Sequence, residues 1–276
     1  HKNIKENTYS AMKSPEKVKD HIVQWLTDYA QNAQMKGFVV GVSGGIDSAV
    51  TSTLCALTGL EVLCLEMPIH QHPDQVSRAQ QHINLLTENH PNVKGQTIDL
   101  TPLYDQFVSM LPPLSDEQAA DQFLSLANTR ARLRMSTLYY FAGLLRYLVA
   151  GTGNRVEDFG VGFYTKYGDG GVDLSPIADL LKTHVFALGK YLGIDQSILD
   201  APPTDGLWED NRTDEQQIGT SYSALEWAME SQAKKLDPAQ MTSQQKKDFD
   251  IYLTFNRQNQ HKMLPIPVCQ IPKAFL

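Results

Sequence analysis

Phe38-Val39-Val40-Gly41-Val42-Ser43-Gly44-Gly45-Ile46-Asp47-Ser48 is an apolar run that ends in a glycine turn carrying one acid and two hydroxyls. The run predicts a strand over Phe38–Val42, and Asp47–Thr58 reads as a helix that Gly59 stops. Gly44 and Gly45 let the backbone turn tightly and approach a ligand where a Cβ would stand in the way. The first turn of the helix then aims unpaired N–H groups and positive dipole at the same point. Ser43 and Ser48 add hydroxyl donors, and the whole makes a cradle for a chain of phosphates. Asp47 repels phosphate, so its presence implies a divalent cation between them, with magnesium on oxygen ligands as the expectation.

Other phosphate loops do not fit. The Walker loop needs a lysine after its last glycine, and none follows Gly45. The dinucleotide turn needs a glycine where Ser43 stands. Ser-Gly-Gly-x-Asp-Ser instead resembles the PP-loop of the ATP pyrophosphatases. That resemblance implies cleavage of ATP between its α and β phosphates and adenylation of a substrate oxygen.

Around this loop the chain alternates strands and helices. Ser14-Pro15 starts a helix over residues 15–34, with Val18, Ile22, Trp25, Leu26 and Tyr29 on one face. Glu61–Met67 reads as a second strand, apolar throughout and so covered on both faces. A helix follows from Pro73 or Asp74 to Asn89, then a third strand at Gln96–Leu100 and a fourth at Tyr147–Gly151. This order predicts an α/β fold with a doubly wound parallel sheet flanked by helices. Residues 1–14 read as a tail and 15–276 as a single domain. In such sheets ligands collect at the carboxyl ends of the strands, which gathers Ser43–Ser48, Met67–His72 and Gly151–Glu157 on one rim. Residues 116–146 form a long helical stretch that is apolar on more than one side, and such a helix is buried in its own domain or against another subunit. Residues 202–221 are the longest irregular region and read as a lid. His70 and His72 read as loop residues at a strand end rather than as metal ligands.

Bulk properties narrow the class. The chain has 276 residues, 42 % of them hydrophobic, enough for one large core. No apolar run is long enough to span a membrane. The net charge of −7 argues against a nucleic-acid partner. Cys55 and Cys64 sit in apolar contexts and no Cys-x-x-Cys pair exists, which fits a reducing cytoplasm.

A second cluster of chemistry lies at residues 151–173, where seven glycines are interleaved with Thr152, Glu157, Lys166, Asp169 and Asp173. So many glycines suggest backbone wrapped closely around something. Glu157, a turn past a strand end, reads as a second metal carboxylate facing Asp47. Lys182 reads as a point charge for phosphates.

Four further elements make the resemblance specific: Ala131-Arg132-Leu133-Arg134-Met135, Gly151-Thr152 with Glu157, Phe163-Tyr164-Thr165-Lys166-Tyr167-Gly168-Asp169-Gly170, and His261-Lys262. Together with the loop they resemble the ammonia-dependent NAD synthetases over residues 15–270. The resemblance implies that the nicotinate carboxylate of deamido-NAD is adenylated by ATP and then displaced by ammonia. It implies ATP contacts at Gly41, Val42, Ser43, Gly44, Gly45, Ile46, Asp47, Ser48, Thr152, Lys182 and Thr204, with Asp47 and Lys182 carrying catalysis. It implies magnesium on Asp47 and Glu157, and deamido-NAD contacts at Arg132, Lys166, Asp173, His261 and Lys262. It also implies a homodimer, which tips the reading of 116–146 towards an interface. Nicotinate mononucleotide is the rival acceptor. Two rival functions are a tRNA-modifying PP-loop enzyme and a non-catalytic ATP-sensing module. The first wants a basic face, and the second has no use for both carboxylates.

Overall fold

The computed structural model describes residues 11–113, 115–204 and 213–275. Its centre is a four-stranded, all-parallel sheet in the order β3-β2-β1-β4, built from β1 (Gly37–Gly41), β2 (Glu61–Glu66), β3 (Val93–Thr97) and β4 (Tyr147–Val149). Around it lie α1 (Pro15–Asn32), α2 (Ile46–Leu57), α3 (Pro73–Asn89), α4 (Thr101–Ser109) and α5 (Asp116–Leu145). The chain continues through a π-helical turn (Val156–Val161), α6 (Lys182–Tyr191), α7 (Gln196–Leu199), α8 (Asp214–Ile218), α9 (Tyr222–Ala233) and α10 (Ser243–Met263). This is the α/β doubly wound sheet that the alternation predicts.

Successive residues of a strand point to opposite faces, and both faces here are covered. Phe38 and Val40 of β1 join Val62 and Cys64 of β2 in a core with α1, α2, α3 and α6. Val39, Leu63 and Leu65 face the other way, against Tyr104 of α4 and Ala142 of α5. Cys55 and Cys64 are buried thiols, and burial pushes Cys64 up to about 12. A third apolar cluster joins the π-helical turn to α8, α9 and α10 through Val156, Val161, Ile218, Leu225 and Phe249.

Three expectations shift. β3 occupies Val93–Thr97 rather than Gln96–Leu100. It is an edge strand reading Val-Lys-Gly-Gln-Thr, anchored by buried Val93 with the next four residues exposed, so it lacks the apolar signature sought downstream. The lid region 202–221 contains α8, which Thr213 caps through the Gln216 N–H, and its residues 205–212 lie outside the described residues. α5 is the long helix expected, yet it is not buried all round. Phe123, Leu124, Tyr140 and Leu144 are 64 %, 57 %, 64 % and 64 % exposed. His72 caps α3, accepting from the Asp74 N–H through Nδ1, and His70 Nε2 lies 2.7 Å from Asp105.

Candidate functional site

The carboxyl ends of β1, β2 and β4 open into one cleft of about 260 Å³, lined by Gly41–Ser48, Thr152, Glu157, Lys182 and Thr204 among others. Those are all the residues that the sequence marks for ATP and metal. The loop between β1 and α2 is held by its own serines. Ser48 Oγ accepts from the Ser43 N–H (3.1 Å) and donates to the Gly45 carbonyl (3.0 Å). Gly44 has φ +82°, and a Cβ on it would come 2.6 Å from the Gln75 carbonyl oxygen. Gly45 stands at the N-cap of α2 without a side-chain cap, so the first turn keeps its N–H groups and dipole for an anion.

At the floor, Lys182, the first residue of α6, is buried between two carboxylates. Its ammonium contacts Asp47 Oδ2 and reaches Glu157 Oε1 at 3.2 Å. Asn154 holds the opposite side of the pair. Its amide donates to Asp47 Oδ1 (3.1 Å), and its carbonyl accepts from the N–H groups of Val156 and Glu157. The hydroxyl of Tyr222 donates to Glu157 Oε1 (2.6 Å) and lies 3.1 Å from Asp214 Oδ2. One proton serves one carboxylate at a time, so Asp214 and Glu157 share this hydroxyl. Lys182 Nζ also sits over the Tyr222 ring, 4.8 Å from its centroid.

The charges here are unbalanced. Burial works against the Lys182 ammonium, but the carboxylates of Asp47 and Glu157 overcome it and hold it protonated above its usual range. Burial, opposed by Lys182 and aided by Glu157, raises Asp47. The proton stays on lysine, while burial, with Glu157 beside it, lifts Asp47. Burial also lifts Asp158 to about 8, with Glu157, Asp169 and Asp47 adding to it. A cation would relieve that imbalance. No group of three or more metal-binding side chains converges among the described residues. Two carboxylates completed by phosphate and water oxygens is how magnesium is usually held, and Asp47 with Glu157 fits that habit.

The residues expected to hold the second substrate lie apart from this floor. Arg132 is exposed on α5 and donates through Nε to the Lys166 carbonyl (3.3 Å). Lys166 Nζ donates to the His261 carbonyl (2.7 Å). Lys262 Nζ donates to the carbonyls of Gly162 (2.9 Å) and Tyr164 (2.8 Å). His261 Nδ1 lies 3.0 Å from the Gln258 carbonyl. These four gather where residues 162–167 meet the end of α10. Asp173 stands elsewhere, accepting from Tyr139 Oη (2.9 Å) and the Val149 N–H (2.8 Å). The glycines of 151–173 wrap partly around the protein itself. Gly162, with φ +64°, lets Asn259 approach to where a Cβ would be 2.5 Å from its own Cβ.

Four residues in or beneath the cleft carry no role in the sequence reading, although Arg134 stands in one of the elements quoted there. Asn154 had a signal, since an Asn just before a helical turn is a cap. Arg134 lines the cleft and ties α5 to the end of β2, donating to the Met67 carbonyl and to Gln71 Oε1, both at 2.8 Å. Tyr222 and Asp214 come from the distant helices α9 and α8, and nothing local marks them.

A family model described as NAD synthase matches residues 18–265. The chain is 41 % identical over 208 residues to the NH(3)-dependent NAD(+) synthetase of Carboxydothermus hydrogenoformans, covering 75 % of this chain and 82 % of that protein. Among solved structures, the NMN synthetase from Francisella tularensis superposes with a TM-score of 0.79 at 31 % identity, covering 94 % of this chain and 99 % of that one. The NH3-dependent NAD synthetase from Campylobacter jejuni matches the fold with a TM-score of 0.74 at 24 % identity, over 93 % of this chain and 100 % of that one.

Proposed function

This chain belongs to the NAD synthase family, and on that premise we propose that it amidates deamido-NAD with ammonia at the expense of ATP. The nicotinate carboxylate attacks the α-phosphorus of ATP and pyrophosphate leaves. Ammonia then adds to the acyl carbon of the adenylate and AMP departs, giving NAD. A free carboxylate is a poor acyl donor, and the adenylate provides the leaving group.

The observation that carries this reading is Lys182 buried against Asp47 and Glu157 beneath the glycine loop. The loop's N–H groups and the α2 dipole receive the phosphates. Lys182 is held cationic at the floor, ready to stabilise charge that grows on the phosphate oxygens. Asp47 and Glu157 would hold magnesium, which supplies positive charge to the nucleotide. Asn154 and Tyr222 fix the two carboxylates from either side. The acceptor lies towards Arg132, Lys166, His261 and Lys262, with Asp173 as a further contact. The protein works as a homodimer, supported by the exposed Phe123, Leu124, Tyr140 and Leu144 on α5. Its three free cysteines suit a reducing compartment, the cytoplasm.

Similarity to the Francisella enzyme favours a second reading, in which the acceptor is nicotinate mononucleotide. Turnover with ATP, magnesium and ammonium, offering both acceptors in parallel and following AMP and pyrophosphate, separates them. AMP formed chiefly with deamido-NAD is the expected result. Preference for the mononucleotide keeps the chemistry and changes the acceptor, and no AMP with either sinks the proposal.

A further inference from the structure

Glu66 is the last residue of β2, the strand beside the glycine loop. The Val42 N–H donates to the Leu65 carbonyl (2.8 Å), so Glu66 starts level with the entry to that loop. It lines the same cleft and is 3 % exposed. Its Oε2 accepts from Thr97 Oγ1 (2.8 Å) on the edge strand β3. Its Oε1 is buried without a hydrogen-bond partner among the described residues. A buried carboxylate oxygen without a donor is costly, and on a residue that lines a ligand cleft a bound ligand can bring the missing donor.

We infer that Glu66 accepts a hydrogen bond from a ribose hydroxyl of the ATP bound in the cleft. The inference rests on the ATP reading above. Of the two ends of ATP, the triphosphate offers only acceptors and repels a carboxylate. The donors are the ribose hydroxyls and the adenine amine, so Glu66 must face the nucleoside end. In the dinucleotide-binding doubly wound folds, whose glycine turn differs from the one here, an acid at the end of the second strand, about 20 residues beyond that turn, takes the ribose. Glu66 holds that place, with its Thr97 bond fixing the carboxylate. The nucleotide thereby gains a direction, triphosphate over α2 and ribose towards the end of β2.

Equilibrium binding of ATP, 2′-deoxy-ATP, 3′-deoxy-ATP and inosine triphosphate to the wild type and to Glu66→Met tests this. The wild type binds one deoxy analogue about 10- to 100-fold more weakly than ATP, the range of a hydrogen bond to a charged group. Glu66→Met loses a similar factor for ATP and no longer tells the two apart. If that variant does not fold, the isosteric Glu66→Gln reduces the same discrimination. Equal binding of all analogues by the wild type, or discrimination unchanged in the variant, overturns the inference while leaving ATP binding intact. Discrimination against inosine triphosphate alone overturns the ribose assignment. Absence of ATP binding by the wild type brings down the ATP reading, and this inference with it.

Discussion

In the cleft, Lys182, Asp47, Glu157, Asn154 and Tyr222 satisfy one another before any ligand arrives. Where residues 162–167 meet the end of α10, Lys166 and Lys262 instead point their ammonium groups at main-chain carbonyls, and Arg132 does the same with its guanidinium. The first arrangement is buried and its charges and hydrogen bonds are mutually satisfied, so its geometry is fixed in advance of any ligand. The second is more exposed and bonded to neutral acceptors, which a ligand anion can displace at little cost. One chain therefore carries a buried cluster whose charges already answer one another and a set of cations bonded only to its own main chain.

The contrast can be broken at its strongest point first. Asp47→Ala lowers turnover on the order of 10²-fold or more, and near wild-type AMP formation would remove Asp47 from the metal assignment. Lys182→Met lowers turnover similarly and also leaves two buried carboxylates facing each other. It costs about 3 kcal/mol of stability in denaturant titration, and a stable, merely inactive variant would show that the cluster is not coupled as described. His82 sharpens the buried side. It is bonded to Ser52 (2.9 Å), and burial lowers its pKa to about 4, with Ala49 opposing. Unfolded chains bind its proton from about pH 6.5 downwards and the folded protein does not. Stability is therefore full above pH 6.5 and falls by about 3 kcal/mol as pH drops towards 4. His82→Gln should flatten that slope in melts taken across the window.

The more exposed region calls for a different signature. Lys166→Ala raises KM for the acceptor by about 10-fold with little change in KM for ATP, since it removes one charged contact. An equal rise for ATP would merge the two regions into one. Smallest is Tyr222→Phe, which removes one hydroxyl from Glu157. A loss of about 5-fold in kcat is expected, the value of an ordinary hydrogen bond, and rescue by raised magnesium would place the effect on the carboxylate.

Legibility followed the same divide. The loop from Gly41 to Ser48 was readable because local backbone demands write themselves as glycine, and charge demands as Asp47. Lys182 and Glu157 were readable chiefly through the resemblance, since their meeting is a tertiary event. Tyr222 and Asp214 were not readable, because α8 and α9 reach the floor across a separate apolar cluster. β3 slipped by a few residues because an edge strand needs little apolar surface. α5 showed its apolar character in sequence, but its exposed face looks buried until a single chain is folded.

Arg132 and Arg134 are two residues apart on α5, so at 3.6 residues per turn they project about 200° from one another. Arg134 braces the cleft wall at Met67, while Arg132 turns to the Lys166 carbonyl. The helix is thus a partition with a guanidinium on each face. Substitution on one face of α5 can therefore leave the contacts of the other face in place.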